Sequence, residues 1–272
     1  MMTEEKIRAQ MNELIHHLDR DEYPDIIRLL ELFQDDDGSF YVPDEFELAA
    51  ELFDCDAAKP LPPEVGKLME EIYLDEIEAE NFDAACGLGS LYYTGRIGIQ
   101  DYTKAMHYYK IAAEGGNRQA QENLGYCYYY GRNCEKDYEK AFHYFALGAF
   151  DGHLRSLYKI GDMYRNGYYV EMNRMEAYRI YRRCYETMTD KAKPLVGADI
   201  VMRLGDCAFE GIGCEPDFEL AMRFYQEAEQ LFYQRMMGGD FLIQNGYEKV
   251  IARQDEARKK LREKLPDYSW TK

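Results

Sequence analysis

Seven cysteines, five histidines and a run of aspartates are the residues of this 272-residue chain that could do chemistry. Cys127 and Cys134 stand seven positions apart, and Cys207 and Cys214 repeat that interval, which invites a metal site. Zinc ligands favour tighter pairs such as C-x2-C, so the interval alone is a poor fit. Asp35-Asp36-Asp37-Gly38 has the look of a calcium loop. Aligning Gly38 with the turn glycine of an EF-hand puts Phe33 at the first ligand position and Asp44 where Glu is needed. A polar turn between helices is the better reading. His16 and His17 are adjacent and point in different directions on a helix. No Ser/His/Asp or Cys/His arrangement stands out, and the glycines follow helices rather than strands, so no phosphate cradle is expected. The expectation is a non-enzymatic chain with no cofactor and no metal.

The elements that carry these residues repeat. Leu88-Gly89 recurs as Leu124-Gly125, Ile160-Gly161 and Leu204-Gly205. Each pair is followed at fixed intervals by Gly95, Gly131, Gly167 and Gly211, then by Asp101, Asp137, Asn173 and Asp217, then by Ala105, Ala141, Ala177 and Ala221. Between the first two stand Tyr92, Tyr128 and Tyr164, with Ala208 in the last copy. The frame closes on Tyr108-Tyr109, Tyr144-Phe145, Ile180-Tyr181 and Phe224-Tyr225. A helix that ends on a left-handed glycine, a short loop and a helix capped by Asp or Asn satisfy every step. The small Gly and Ala let the two helices approach. One such pair cannot bury its apolar face, so copies must stack.

In this frame the cysteine echo loses its meaning as a metal site. Position 127 is Leu91, Met163 and Cys207 in the other copies, and position 134 is Gly98, Val170 and Cys214. These are small or apolar packing sites, and buried Cys behaves as a small hydrophobe. His107 and His143 share a position with Arg179 and Arg223, on a solvated helix face.

The stretch Leu88-Gly89-Ser90-Leu91-Tyr92-Tyr93-Thr94-Gly95, then Asp101-Tyr102-Thr103-Lys104-Ala105, then Ala112-Ala113-Glu114-Gly115, resembles the Sel-one-like repeat (SLR) family, a branch of the tetratricopeptide-type α/α repeats. The likeness covers about residues 81–232. It implies an all-α fold, a right-handed α/α superhelical solenoid of four repeats with helical extensions at both ends. The copies depart from the pattern at Gly131-Arg132-Asn133-Cys134, at Asn173 and Glu176, and at Thr187–Pro194, where eight extra residues replace the usual A-A-E-x-G closure. The expected organisation is an acidic helical region over 1–80, repeats at about 81–116, 117–152, 153–196 and 197–240, and a capping helix within 241–272.

Charge divides along the same line. The net charge is −18, and residues 1–80 account for it with 24 acidic against 6 basic side chains, while residues 81–272 hold 27 of each. In the acidic part Ile7, Met11, Leu14, Ile15 and Leu18 share a helical face. Pro24 opens a second helix through Phe33, Asp44 or Glu45 a third through Phe53, and a further helix follows Pro60-Leu61-Pro62-Pro63 over about 64–80. At the far end residues 247–264 read as a charged helix with a weak apolar stripe at Val250, Leu261 and Leu265. No basic stripe suits nucleic acid, acidity disfavours anionic lipid, and no apolar run approaches a membrane span. The start, Met1-Met2-Thr3-Glu4, lacks a basic region followed by an apolar run. The expectation is cytoplasmic, monomeric or weakly homo-oligomeric.

By resemblance to tetratricopeptide proteins, the first helix of each pair lines a concave groove. The residues then assigned to a partner are Glu122, Tyr126, Tyr129, Tyr130, Tyr158, Asp162, Arg165, Asp206 and Phe209. Tyrosine offers rigid contact area with a polar tip, although the same rings can serve as packing between helices. The leading expectation is a protein–protein scaffold holding a peptide or protein segment. The alternative is an inhibitor or immunity-type protein that neutralises a basic partner through the acidic front end.

Overall fold

A computed structural model describes residues 3–41, 44–56, 59–213, 215–238 and 243–264. Cys214 and Leu265 lie outside them. The described residues form thirteen helices, and their one β feature is an isolated bridge between Gln34 and Phe40. The chain divides into two compact units, Met1–Tyr144 and Phe145–Lys272.

The first unit holds α1 (Glu4–His17), α2 (Pro24–Leu32), α3 (Glu45–Asp54), α4 (Pro63–Glu78), α5 (Phe82–Thr94), α6 (Tyr102–Glu114), α7 (Arg118–Tyr130) and the start of α8 (Tyr138–Phe150). Thr3 and Asp44 cap α1 and α3 by accepting from Lys6 N and Glu47 N. Ile7, Met11, Leu14 and Ile15 are all buried, as their shared face requires. They join Ile26, Leu30, Leu48, Leu52, Val65 and Ile72 in one apolar cluster that continues into Leu88, Leu91, Tyr109 and Leu124 of the repeats. The acidic front end therefore shares its core with the first repeats. Asp35–Gly38 is a tight polar turn, closed by Gly38 N to Asp35 O and Ser39 N to Asp37 Oδ1.

Arg96 fastens the acidic helices to the array. Its buried guanidinium donates to the carbonyls of Phe53 (2.9 Å), Cys55 (2.6 Å), Asp56 (3.1 Å) and Lys59, while Leu61 N donates to Arg96 O at 2.7 Å. This diverts the loop after α5. The later loops close with a bond from the second residue past the helix, Arg132 N to Cys127 O, Tyr168 N to Met163 O and Ile212 N to Cys207 O. In the first loop Gly98 N bonds Gly95 O instead, and the second left-handed residue falls at Gly98 rather than one position earlier, where Asn133, Tyr169 and Gly213 supply it.

The second unit holds the rest of α8, then α9 (Leu154–Asn166), α10 (Arg174–Thr187), α11 (Lys193–Glu210), α12 (Phe218–Met237) and α13 (Gln244–Lys264). The extra residues after α10 lengthen α11 to 18 residues, with Pro194 in its first turn. Helix α13 buries Val250, Gln254 and Ala257 and packs on α12.

The repeat frame is realised with the chemistry its residues suggest. Gly95, Gly131, Gly167 and Gly211 end their helices in the left-handed conformation, at φ 73°, 70°, 70° and 72°. Asp101, Asp137, Asn173 and Asp217 accept from backbone N–H groups of the next helix, at Lys104, Lys140, Glu176 and Leu220. The framework glycine has a sharper duty than helix approach alone. A Cβ on Gly89, Gly161 or Gly205 would lie 2.6 Å from a ring carbon of Tyr109, Tyr181 or Tyr225, so each glycine is the seat of a tyrosine from its own repeat's second helix.

Two outcomes follow for stability. Alanine within a helix normally gains about 0.5–1 kcal/mol over glycine, but Gly205→Ala should instead lose about 1–3 kcal/mol by overpacking against Tyr225. A lowered urea midpoint is the expected reading, and a raised one would show that the ring yields freely. Arg96→Ala should cost about 2–4 kcal/mol, because charge-assisted hydrogen bonds are worth about 1.5–3 kcal/mol each. Arg96→Lys, without the planar fork, should restore less than half of that. Hydrogen exchange at amides 53–61 checks the location, and unchanged protection there in Arg96→Ala would refute the clamp.

Candidate functional site

The residues assigned to a partner surface divide between the two units. In the first unit α7 carries Glu122, Tyr126, Tyr129 and Tyr130. Glu122 is buried. The rings of Tyr126 and Tyr130 stack at 6.2 Å with an 8° interplanar angle, as spacing of four on a helix permits. Tyr129 meets Tyr130 edge-on at 5.0 Å and Tyr138 of α8 at 5.7 Å. Tyr130 is 45% exposed, while Tyr126 and Tyr129 are half-buried. The guanidinium of Arg132 lies 4.9 Å from the Tyr102 ring and 5.8 Å from the Tyr130 ring. Burial pushes the Tyr93 hydroxyl pKa up, against the Arg132 charge and hydrogen bond that pull it down. The result is a tyrosine patch gathered around one arginine. Arg132 was not among the expected residues. Its signal was weak, because the corresponding positions hold Arg96, Tyr168 and Ile212 and follow no single chemistry.

A second set of tyrosines belongs to the frame. Tyr92 and Tyr108 stack at 6.0 Å with Lys104 Nζ 4.4 Å from the Tyr92 centroid. Tyr128 and Tyr144 stack at 5.9 Å with Lys140 Nζ 5.2 Å from the Tyr128 centroid. Position 129 also has a framework duty. Tyr93 packs on Tyr102, Tyr129 on Tyr138 and Phe209 on Phe218, each joining the last turn of one helix to the first residue of the next.

In the second unit Tyr158, Asp162 and Asp206, expected to line the groove, are all buried. Asp162 receives Arg203 through both oxygens, at 2.6 and 2.7 Å, Tyr181 Oη at 2.8 Å and Lys159 Nζ at 3.5 Å. The Arg203 guanidinium also lies 4.5 Å from the Tyr158 ring centroid. Asp206 receives Tyr225 Oη at 2.9 Å, Arg165 Nη1 at 3.1 Å and Arg253 Nε at 3.3 Å. Arg165 also pairs with Glu210. Phe209 is half-buried against Phe218. The physical reason is a buried phenol: Tyr181 and Tyr225 must donate their hydroxyls, and the Asp two positions after each framework Ile or Leu accepts. The first repeat solves the same problem with Ser90, 3.2 Å from Tyr109 Oη.

Burial pushes the thiols of Cys86, Cys127 and Cys184 up to about 12 and that of Cys55 up to about 11, so they stay neutral. Among the described residues no group of three His, Cys, Asp or Glu is placed to hold a metal ion. His107 and His143 are exposed.

Burial alone would raise the Asp162 carboxyl, but the Arg203 charge and hydrogen bonds, with Lys159 and Tyr181, bring it down to about 2. The unfolded value is about 3.9. The network's contribution, about 2–3 kcal/mol, is therefore whole above about pH 4 and is lost as pH falls toward about 2. Asp162→Asn should flatten that limb of the acid-denaturation curve. It should also lower stability at pH 7, because Arg203 loses its bidentate partner. An unchanged acid limb would show that another carboxylate governs it.

Comparison with known proteins gives these helix pairs a family. The Sel1 repeat model matches residues 82–117, 118–153, 154–184 and 201–231. Among solved structures the chain is similar to a Sel1 repeat protein from Oxalobacter formigenes, at 23% identity and a TM-score of 0.50, covering 61% of this chain and 65% of that one. It is also similar to c5321, a protective antigen of uropathogenic Escherichia coli with an SLR fold, at 20% identity and a TM-score of 0.53, covering 78% of this chain and 45% of that one. The matches thus span less than two thirds of either relative, and at these identities the likeness is one of fold. No curated protein matches the sequence. No helix among the described residues is long and apolar enough to cross a membrane. Sel1 repeats are generally protein-interaction scaffolds, a non-enzymatic class. With four matches lying over helix pairs that share one glycine, cap and ring frame, this chain belongs to the Sel1-like repeat family and has its all-α repeat-solenoid fold.

Proposed function

We propose that this protein is an interaction scaffold whose recognition surface centres on the α7 tyrosine patch and holds a peptide or protein segment of a partner. The observation that carries the reading is the parallel pair Tyr126 and Tyr130, 6.2 Å apart, with Tyr130 45% exposed. A stack braced by Tyr129 and lying beside Arg132 presents rigid aromatic area at little entropic cost, the property that makes Tyr and Arg frequent at interface hot spots. Unlike Asp162 and Asp206, whose oxygens are occupied inside the fold, these rings keep area to give. The groove role assigned to the first helix of each pair is on this reading concentrated in the second repeat.

The test pairs Tyr126→Ala/Tyr130→Ala with Tyr233→Ala, which removes an exposed tyrosine from α12. Partners captured by the wild-type chain are identified by mass spectrometry and then titrated as purified proteins. The double variant should bind at least tenfold more weakly, a loss of about 1.4 kcal/mol, with its far-ultraviolet dichroism unchanged, while Tyr233→Ala binds like wild type. A folded double variant with wild-type affinity would sink the proposal.

A further inference from the structure

Arg132 stands one residue past the glycine that ends α7, as Arg96 stands one residue past the glycine that ends α5. The two loops close differently, but Arg96 shows what an arginine at this place needs. Carbonyls of Phe53, Cys55, Asp56 and Lys59 accept from its two Nη groups, and the Phe53 ring lies 5.9 Å from its guanidinium. Burial draws the Arg96 pKa down, and the charges of Asp54 and Asp56 oppose that fall. The segment laid on Arg96 is thus an aromatic residue with two aspartates close behind it, Phe53-Asp54-Cys55-Asp56.

Arg132 has the place without such a segment. Its guanidinium lies 4.9 Å from the Tyr102 ring and 5.8 Å from the Tyr130 ring, and it hydrogen-bonds the Tyr93 side chain. Its Nε is buried with no acceptor. No carboxylate among the described residues forms an ion pair with it. The acids of its own loop are placed elsewhere: Asp137 caps α8 and pairs with Lys140 at 2.9 Å, and Glu135 is exposed. A ring face attracts the cation but gives the N–H groups of the fork no oxygen.

That shortage decides what can lie on the tyrosine stack. Solvent serves the fork while the patch is open. A segment that covers Tyr126 and Tyr130 removes that solvent, and a guanidinium stripped of water is costly unless acceptors replace it. A carboxylate meets the planar fork with two parallel bonds and matches its charge. The acidity of the front end does not extend along the chain to these repeats, since residues 81–144 hold seven basic and seven acidic side chains.

We propose that the α7 patch takes a partner segment in which an aspartate or glutamate stands beside an aromatic residue, the carboxylate on Arg132 and the ring on the Tyr126–Tyr130 stack. This rests on the tyrosine patch being the recognition surface and names the chemistry of the segment it holds.

The probes are blocked Gly/Ser decapeptides with Phe-Asp-Ser-Asp at the centre or Phe-Asn-Ser-Asn in its place. A third probe is the asparagine peptide with its C-terminal carboxylate left free. Each is titrated into the full chain at about 0.15 M salt, where charge beyond about 8 Å is largely screened and the contact rather than the net charge is read. Amide and tyrosine-ring shifts report binding. The aspartate peptide should bind about tenfold more tightly than the asparagine peptide, with shifts concentrated at residues 126–132, and the free-carboxylate peptide should match the asparagine one. Arg132→Gln should abolish the preference, and Arg132→Lys, a charge without the fork, should keep only part of it. Lys136→Gln, which removes an exposed charge from the same loop, should change affinity less than about threefold. Equal binding of the two blocked peptides by wild type, a preference that survives in Arg132→Gln, or tightest binding of the free-carboxylate peptide would each overturn the assignment. Tyr126→Ala/Tyr130→Ala should weaken both blocked peptides together. If it weakens neither, the tyrosine reading falls; if it weakens both while wild type shows no preference for aspartate, only the present proposal falls.

Discussion

Everything specific to this repeat array follows from laying a large ring on a glycine. Tyr109, Tyr181 and Tyr225 reach so close to Gly89, Gly161 and Gly205 that no side chain fits between. The ring fills the interior of its helix pair and carries its hydroxyl into a place without water. A buried phenol needs an acceptor, and the residue one position past the glycine supplies it: Ser90, Asp162 or Asp206. A serine ends the sequence of requirements. An aspartate continues it, because a buried carboxylate needs a cation, and Arg203, Lys159, Arg165 and Arg253 are drawn in. One small residue thus determines the side chains of two further helices.

The two units take different branches of that sequence, and what each can offer a partner differs accordingly. The second repeat has Phe145 at the ring position, which carries no hydroxyl, and the position that elsewhere accepts is Tyr126. That tyrosine stacks on Tyr130. The first two repeats add a tyrosine pair beside a lysine, at Tyr92, Tyr108 and Lys104 and again at Tyr128, Tyr144 and Lys140. The third and fourth repeats have Ile180 and Phe224 with Glu176 and Leu220 there, and no such stack can form. The lysine-flanked aromatic stacks belong to the first unit, while in the second Asp162 and Asp206 are spent on its own interior.

The frame itself was legible because it is made of backbone requirements. A left-handed helix end selects glycine and a free helix start selects Asp or Asn, and both select them in every copy. The groove positions were not legible in the same way. Counting from the framework Leu identifies which side of a helix a residue stands on, but not whether another side chain already claims it. The information was in the pairing of Tyr181 with Asp162 and Tyr225 with Asp206 against Phe145 with Tyr126, a correlation between two helices rather than a pattern along one. Arg96 was hidden for another reason. Its carbonyl acceptors at 53–59 belong to a loop, and main-chain carbonyls leave no mark on a sequence.

The same logic extends to α13. In α13 Arg253 serves Asp206 as Arg203 serves Asp162. That register aligns Val250 with Ile200, Gln254 with Leu204 and Ala257 with Cys207, all buried. Helix α13 therefore follows the register of a repeat's first helix and packs on α12. Gln254 replaces the framework leucine and spends its amide on Tyr225 O and Glu229, which an apolar side chain could not do. The decisive change is at the glycine position. It holds Asp255, whose side chain is 69% exposed and paired with Arg258. A charged side chain stands where a tyrosine ring would have to lie, so the helix accepts the fourth repeat on one side and turns a solvated face to the other.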